Sequence, residues 1–210
     1  LPRNVAEPVI DMLYPPGTTA RIPIIATTGT NGKTTTTRLT AHIVKTAGHR
    51  VGFTTTDGIY IGNEMMMRGD CTGPVSAEFV LKDPTVEFAV LECARGGILR
   101  AGLGFHNCDI AICTNIAADH LGLQGIDTIE QLAKVKSVVI ESVLPTGYAI
   151  LNADDDLVYN MHKGLECKVA YFSLDEKNPR IILRSRGSPA GRLPESGSAG
   201  DRAAGRSAAF

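Results

Sequence analysis

A glycine-rich stretch directly after a buried strand sets the strongest limit on how this chain can fold. The apolar run IPII at residues 22–25 leads into TTGTNGKTTTT, and a segment of helical period follows. Between a strand and a helix, glycines let backbone N–H groups curl around phosphates, and the helix N-terminus adds positive potential. Lys33 would reach the terminal phosphates, and Thr34 would offer its hydroxyl to Mg²⁺. The stretch therefore predicts a phosphate-binding loop.

The loop departs from the general G-x-x-x-x-G-K-[ST] pattern at one position, where Thr27 replaces the first glycine. A turn that only caps a helix would explain Gly29 and Gly32. It would not explain a Lys-Thr pair in this register after a buried strand. The predicted nucleotide-binding residues of the loop are Gly29, Thr30, Asn31, Gly32, Lys33, Thr34 and Thr35.

Alternation of apolar runs with longer helical segments predicts an α/β fold. The predicted strands are 22–28, 51–54, 87–92, 109–114, 148–152 and 169–172. The predicted helices are 33–47, 76–82, 128–144 and 156–163, and Asp127 with Glu130 is expected to cap the third. Several apolar runs do not alternate, which is typical of strands buried on both faces of a parallel sheet. We predict a P-loop-containing, mostly parallel, doubly wound sheet flanked by helices.

Five polar or glycine-rich clusters each follow the C-terminal end of a predicted strand. They are TTGTNGKTTTT, TTTDG, ECARGG, TNIAADHLG and NADDD. In an open parallel sheet these strand ends lie along one edge, where ligands bind at the switch point. We expect the five clusters to meet in one cleft.

Two of these clusters carry candidates for metal binding. Glu92 ends an apolar strand, and a carboxylate there needs a partner or a metal. Mg²⁺ held with Thr34 is one interpretation, and a salt bridge to Arg95 is the other. His120, with Asn115 and Asp119, follows another strand, where a neutral imidazole could bind a second cation or orient an attacking group. Lys136, on the next helix, is a further candidate for this cleft. The alternative interpretation is an ordinary solvated lysine.

The average composition hides a boundary near residue 180. The chain has 43% hydrophobic and 20% charged residues and a net charge of −1, which fits a globular protein and disfavours nucleic acid as a ligand. Residues 181–210 are instead dominated by Gly, Ala, Ser, Pro and Arg, and cannot bury enough surface to offset the entropy of ordering. We predict a linker from a missing upstream domain at 1–20, one domain at 21–180 and a disordered tail at 181–210. The tail is interpreted as a linker, a cloning scar or an out-of-frame segment, with a flexible anion-binding arm as the functional alternative.

Cysteine usage and hydropathy indicate a cytoplasmic protein. Five cysteines without a C-x-x-C pair argue against a disulfide framework and a zinc knuckle. No apolar run approaches the ~18 residues needed to span a bilayer, so no membrane partner is expected. The first residues lack signal-peptide features, and the missing initiator Met suggests that the chain starts inside a longer one.

Taken together, TTGTNGKTTTT, the Glu of ECARGG, TNIAADHLG, a downstream lysine and NADDD resemble the ATP-binding central domain of the Mur ligase superfamily. In that superfamily the T-G-T-N-G-K-T form of the loop is the usual one. Longer segments, among them TTTDGIYIG, DPTVEFAVLECARGGILRAGLGF and VAYFSLD, are similar to the middle domains of the cyanophycin synthetases within it. The resemblance covers about residues 4–180.

The resemblance implies an ATP-dependent amide ligase that uses ATP and Mg²⁺. In the implied reaction, a side-chain carboxylate of a poly-aspartate or cyanophycin primer takes the γ-phosphate, and the α-amine of arginine then displaces phosphate. Such phosphoryl transfer needs positive charge and alignment more than covalent chemistry. The resemblance also implies a homo-oligomeric parent and a central domain that is incomplete after Arg180. Because lid closure supplies water exclusion and alignment, we expect this chain alone to bind nucleotide weakly and to be inactive as a ligase.

Single residues receive metal-binding roles from the resemblance. Thr34 and Glu92 would bind the first Mg²⁺, and His120 the second. Lys136 matches a lysine that several Mur ligases carbamylate to serve that second metal, and Lys134 is kept as an alternative because the spacing from His120 is slightly long.

Other residues receive substrate-binding roles in the same way. Asn152 and Asp155 match residues near the adenine and ribose of ATP. Arg95 and Arg100 are expected to face the anionic acceptor, because a guanidinium suits carboxylate and phosphate.

Two alternative functions stay open. One is another ligase of the superfamily that uses an aspartyl-arginine dipeptide, adds glutamate to folate, or extends a muramyl peptide. The other is a nucleotide switch or a binding-only remnant, although the sequence has no N/T-K-x-D motif to support a GTPase.

Overall fold

The computed structural model describes residues 6–13, 21–118, 121–122 and 125–181 of the chain. The predicted tail, apart from its first residue, lies outside these described residues. Within them, no helix is both long enough and apolar enough to cross a membrane.

The described residues form six helices and eight strands. The helices are α1 (Ala6–Leu13), α2 (Lys33–Thr46), α3 (Pro74–Lys82), α4 (Arg95–Ala101), α5 (Ile129–Glu141) and α6 (Asp156–Asn160). The strands are β1 (Ile24–Thr28), β2 (Val51–Thr55), β3 (Gly58–Ile61), β4 (Glu64–Arg68), β5 (Phe88–Glu92), β6 (Cys108–Cys113), β7 (Val143–Asn152) and β8 (Lys168–Phe172).

The eight strands form one sheet in the order β4-β3-β2-β5-β1-β6-β7-β8. Neighbours from β2 to β8 are parallel, and β3 and β4 extend one edge as an antiparallel hairpin. The predicted α/β fold with a mostly parallel sheet is confirmed. Since β1 lies between β5 and β6, the winding reverses at β1, and the crevice of such a sheet opens at the carboxyl end of that strand.

Apolar side chains cover both faces of the sheet, as the uninterrupted apolar runs predict. All five residues of β1 are buried. On one face, residues such as Leu91 and Leu151 pack with Val80 of α3 and Ile140 of α5. On the other face, Ile25, Val51 and Val90 pack against Ala41 of α2. All five cysteines are free, and four of them are buried.

The predicted boundaries of the third helix were wrong at both ends. Thr128, not Asp127, is the N-cap: its hydroxyl accepts a hydrogen bond from the Gln131 amide at 3.2 Å. The Gln131 side chain accepts from the Thr128 amide in return, at 3.1 Å, so Gln131 takes the reciprocal place expected of Glu130. The helix ends at Glu141 because the chain turns directly into β7.

Strand β7 runs through Pro145, which directly follows the predicted helix 128–144. Its pairing with β6 jumps from Cys108–Val143 to Ile110–Tyr148, so Pro145 falls in the irregular part of the ladder. Proline is tolerated there because no regular ladder hydrogen bond is required of it.

The sequence did not predict the β3–β4 hairpin, α4, or α1, which lies within the predicted linker 1–20. All five residues of β4, EMMMR, are exposed, so this edge strand lacks the buried alternation that marks a strand. Helix α4, RGGILRA, has seven residues and two glycines, which disfavour a helix in isolation.

Candidate functional site

The predicted phosphate loop joins β1 to α2 at the centre of the sheet edge. Gly29 and Gly32 have φ values of 138° and 82°, which side chains with a Cβ rarely adopt. Gly32 is the N-cap of α2, and no side chain of the described residues caps the first turn. The amide groups of that turn are therefore available to an anion, and the helix dipole favours one there.

The phosphate loop is held in place by the segment that follows β6. The amide of Thr30 donates to the Asn115 carbonyl at 2.8 Å, and the amide of Asn31 donates to Asn115 Oδ1 at 2.9 Å. Asn115 Nδ2 and Thr114 Oγ1 both donate to the Asn31 carbonyl, at 3.0 and 2.6 Å. Thr114 was not predicted as a site residue, and Asn115 was noted beside His120 without this contact to the phosphate loop.

Two lysines that are distant in sequence meet at this loop. Lys33 Nζ donates to the Thr30 carbonyl at 2.8 Å, and Lys136 Nζ donates to the Gly29 carbonyl at 2.6 Å. Lys136 is only 3% exposed, whereas Lys134 is exposed on the same helix. Of the two candidates on α5, the structure therefore brings Lys136, not Lys134, to the phosphate loop.

Thr34 and Glu92 also meet, as the metal-binding hypothesis requires. Thr34 Oγ1 donates to Glu92 Oε2 at 2.9 Å and lies 3.1 Å from Thr56 Oγ1. Glu92 is 2% exposed, and its Oε1 has no hydrogen-bond partner among the described residues. Thr56, in the predicted TTTDG cluster, was not singled out from the sequence.

The environment of Glu92 disfavours an unpaired carboxylate. Burial raises the pKa of Glu92 above its usual range, and the Thr34 hydroxyl, the charge of Lys33 and the Thr56 backbone amide offset this only in part. A bound divalent cation would reverse the balance, because it stabilises the ionised form. A buried carboxyl with one unfilled oxygen beside a threonine hydroxyl therefore fits Mg²⁺, which prefers oxygen ligands.

The two predicted acceptor arginines line two adjacent clefts. Arg95 lines a cleft of about 390 Å³ together with Lys33 and Lys136. Arg100 lines the neighbouring cleft of about 320 Å³, beside the N-terminus of α3. Residues common to both walls are Asp70, Thr72, Ala94 and Gly96. Asp70 is the one ionisable residue of that shared wall, and it was not predicted.

Asn152 and Asp155 lie behind the segment that holds the phosphate loop. Asn152 Nδ2 donates to the Thr114 carbonyl at 2.9 Å. Asp155 Oδ2 accepts from the Ile116 amide at 2.7 Å, and its Oδ1 accepts from the amides of Leu157 and Val158 at 3.0 Å each. Both side chains therefore brace the segment after β6. His120, by contrast, lies outside the described residues.

Comparison with known proteins agrees with this geometry. Residues 27–190 match the family model described as the Mur ligase middle domain. The chain is 63% identical over 192 residues to a cyanophycin synthetase of Geminocystis herdmanii, a match that covers 90% of this chain and 22% of that protein. It thus spans about a fifth of the length of this relative.

Two solved structures resemble the chain in fold. A UDP-N-acetylmuramoyl-L-alanyl-D-glutamate--2,6-diaminopimelate ligase superposes with a TM-score of 0.65 and 25% identity, covering 81% of this chain and 35% of that one. Escherichia coli FolC in complex with DHPP and ADP gives a TM-score of 0.53 at 17% identity, over 73% of this chain and 43% of that one. At that identity the likeness to FolC shows the fold alone.

Proposed function

Because the chain belongs to the Mur ligase middle-domain family, we propose that it forms the nucleotide-binding centre of an ATP-dependent amide ligase of the cyanophycin synthetase type. The observation that carries the proposal is the contact of Thr34 with the buried Glu92 at the start of α2. The 63% identity to a cyanophycin synthetase favours that type over the folate and muramyl ligases.

The proposed reaction joins arginine to a poly-aspartate or cyanophycin primer. A side-chain carboxylate oxygen of the primer attacks the γ-phosphorus of ATP, and ADP leaves. The α-amine of arginine then attacks the acyl carbon, phosphate leaves, and the nitrogen gives up a proton to form the isopeptide bond. The protein's part in such transfers is alignment and neutralisation of charge.

The phosphate loop would hold the β- and γ-phosphates. The first-turn amides of α2 can donate to phosphate oxygens, and Lys33 would exchange the Thr30 carbonyl for one of them. Loop residues 29–35 remain the proposed nucleotide contacts. Asn152 and Asp155 would shape the nucleoside end of the site through the backbone of Thr114 and Ile116.

Thr34 and Glu92 would hold the first Mg²⁺, with the unfilled Oε1 of Glu92 as a ligand. A bound cation would neutralise charge on the phosphates. His120 and Lys136 stay our proposal for a second cation. Carbamylation of Lys136 would turn its ammonium into an anionic oxygen donor at the phosphate loop, where the Nζ atom now lies.

The two clefts suggest how the substrates approach each other. The cleft that contains Lys33 and Arg95 would take the phosphates, and the cleft that contains Arg100 would take the primer carboxylate. Since the clefts share a wall, the carboxylate and the γ-phosphate would meet there.

Nucleotide binding by the 210-residue chain tests the first part of the proposal. Calorimetric titration with AMPPNP and Mg²⁺ should give weak, saturable binding that Lys33→Ala removes. Lys134→Ala, an exposed lysine away from the loop, should bind like the unmodified chain and serves as the control. Binding that is absent from the unmodified chain, or unchanged in Lys33→Ala, would contradict the proposal.

Donor choice is tested on the longer parent enzyme. Phosphate release should depend on arginine and remain at background with glutamate or without a donor. A preference for aspartyl-arginine would replace arginine with the dipeptide as donor, and glutamate dependence would overturn the assignment. The 210-residue chain alone should release little phosphate with any donor.

A further inference from the structure

The turn between β2 and β3 lies against the start of α2. Thr56, in this turn, places its Oγ1 atom 3.1 Å from Thr34 Oγ1, and Thr34 in turn donates to Glu92. Thr56 is itself exposed, so surrounding core residues do not fix its position. Contacts made by the rest of the turn therefore contribute to its place beside Thr34.

Arg38 ties this turn to α2. Arg38 Nη2 donates to Asp57 Oδ2 at 2.6 Å and to the Tyr60 hydroxyl at 2.9 Å. The guanidinium carbon also lies 5.2 Å from the centre of the Tyr60 ring, which stacks on Phe53 with 4.5 Å between ring centres. Arg38 therefore contacts both a residue of the turn and the strand that leaves it.

The position of Arg38 on α2 links this tie to the candidate metal site. Thr34 and Arg38 are four residues apart, so they lie one above the other on the same side of the helix. Asp57 is next to Thr56 in the chain. One helix thus supplies both the Thr34 hydroxyl and the Arg38 cation that pairs with Asp57, the residue after Thr56.

We infer that Arg38 is a positioning residue: through Asp57 it fixes Thr56 beside Thr34 and so sets the affinity for the Mg²⁺–nucleotide complex. This inference rests on the proposed function. Arg38 and Asp57 side chains are 44% and 53% exposed, and exposed ion pairs contribute only about 0–1 kcal/mol to folding. Loss of the pair should therefore loosen the turn without unfolding the domain.

The test is calorimetric titration of the 210-residue chain with AMPPNP, with and without Mg²⁺. Arg38→Ala should weaken binding roughly tenfold with Mg²⁺, the lower end of the effect of removing an outer partner of a metal site. Without Mg²⁺ the change should be less than about twofold. Arg38→Lys keeps the charge but not the planar guanidinium, so its AMPPNP affinity with Mg²⁺ should lie between those of Arg38→Ala and the unmodified chain.

Lys45→Ala is the matched control. Lys45 lies on the same helix and also bonds to the hairpin, through Asn63, but at the end away from Thr56. It should leave both affinities unchanged. Thermal melting of each variant should show an unfolding midpoint close to that of the unmodified chain.

Three results would overturn the inference: unchanged affinity in Arg38→Ala with Mg²⁺, an equal loss with and without Mg²⁺, or an equal loss in Lys45→Ala. Each of these presupposes that the unmodified chain binds the nucleotide, and so leaves the proposed function intact. Absence of binding by the unmodified chain would instead contradict the proposed function itself.

Discussion

The ends of β5 and β7 carry carboxylates at the same edge of the sheet but use them differently. Asp155, after β7, accepts hydrogen bonds from three backbone amides. Glu92, the last residue of β5, accepts one from Thr34, and its second oxygen has no partner among the described residues. We therefore expect Asp155 to act mainly as a brace and Glu92 as a metal ligand, although both lie at the same edge. What distinguishes Glu92 is that it is a buried carboxylate with an oxygen left over beside the Thr34 hydroxyl.

Glu92→Gln tests the functional side of this comparison. The variant keeps the shape of the side chain but loses its charge, so Mg²⁺-dependent AMPPNP affinity should fall by more than roughly 100-fold, since even outer partners of a metal site are worth 10–100-fold. Titration with and without Mg²⁺ measures the loss. Glu78→Gln, at an exposed glutamate on α3, is the control and should have no effect. Retained Mg²⁺ dependence in Glu92→Gln would remove the distinction between the two carboxylates.

Gly29→Ala tests the contact between the phosphate loop and the segment after β6, which Asn152 and Asp155 brace. A Cβ at Gly29 would lie 1.9 Å from Thr114 Oγ1, in a backbone conformation that alanine strains to adopt. We expect a loss of about 2–4 kcal/mol in the free energy of unfolding. Gly32→Ala meets no atom closer than 3.9 Å, so only its left-handed conformation costs energy, about 1–2 kcal/mol. Urea unfolding of both variants would measure the difference. Equal losses in the free energy of unfolding would show that the Thr114 side chain moves aside without an energetic cost.

Asp155→Ala tests the bracing role of the carboxylate that follows β7. It removes the N-cap of α6 and the bond to the Ile116 amide, so the free energy of unfolding should fall by about 1–3 kcal/mol. Well below the unfolding temperature, nucleotide affinity should fall far less than in Glu92→Gln. Unchanged stability together with lost nucleotide binding would make Asp155 a ligand residue instead of a brace.

The pH dependence of stability gives the smallest effect. Because burial raises the pKa of Glu92, the folded chain holds this proton more tightly than the unfolded chain. Glu92 therefore reduces stability as pH rises from its usual pKa, about 4.3, through the raised value. The glutamine of Glu92→Gln does not titrate, so the stability of this variant relative to the unmodified chain should increase across that range. Urea unfolding at a series of pH values would show it, and a constant difference would contradict the assignment.

Most of the parallel sheet could be predicted because its strands are buried on both faces. The runs IPIIA, which leads into β1, and FAVL of β5 are apolar without alternation, and glycine or proline marks several of the helix ends that follow. The β3–β4 hairpin could not be found this way, because its outer strand buries none of its residues. The cap of α5 was misplaced by one residue because Asp127 and Thr128 are both good N-caps, and only the contact with Gln131 decides between them.

The site was predictable in its phosphate loop and less so in its surroundings. Lys33, Thr34 and Glu92 are identified by residue type at a strand end, and the fold brings them together. Arg38 lies beyond the loop, in the body of α2, where an arginine is usually a solvated side chain. Its partner Asp57 lies in the turn that leads into β3 and its partner Tyr60 lies in β3 itself, a strand that the sequence did not predict.

The hydrogen-bonded contact between the phosphate loop and the segment after β6 also affects how the chain folds. Its hydrogen bonds join residues more than eighty positions apart, such as Asn31 and Asn115. Closing so long a stretch of chain carries an entropic cost that is recovered only when the distant strands pair, which slows folding. The loop that is proposed to bind nucleotide thus acquires its support only after β6 has docked beside β1. In refolding experiments, recovery of nucleotide binding should therefore follow the slowest phase of structure formation and not the early appearance of helices.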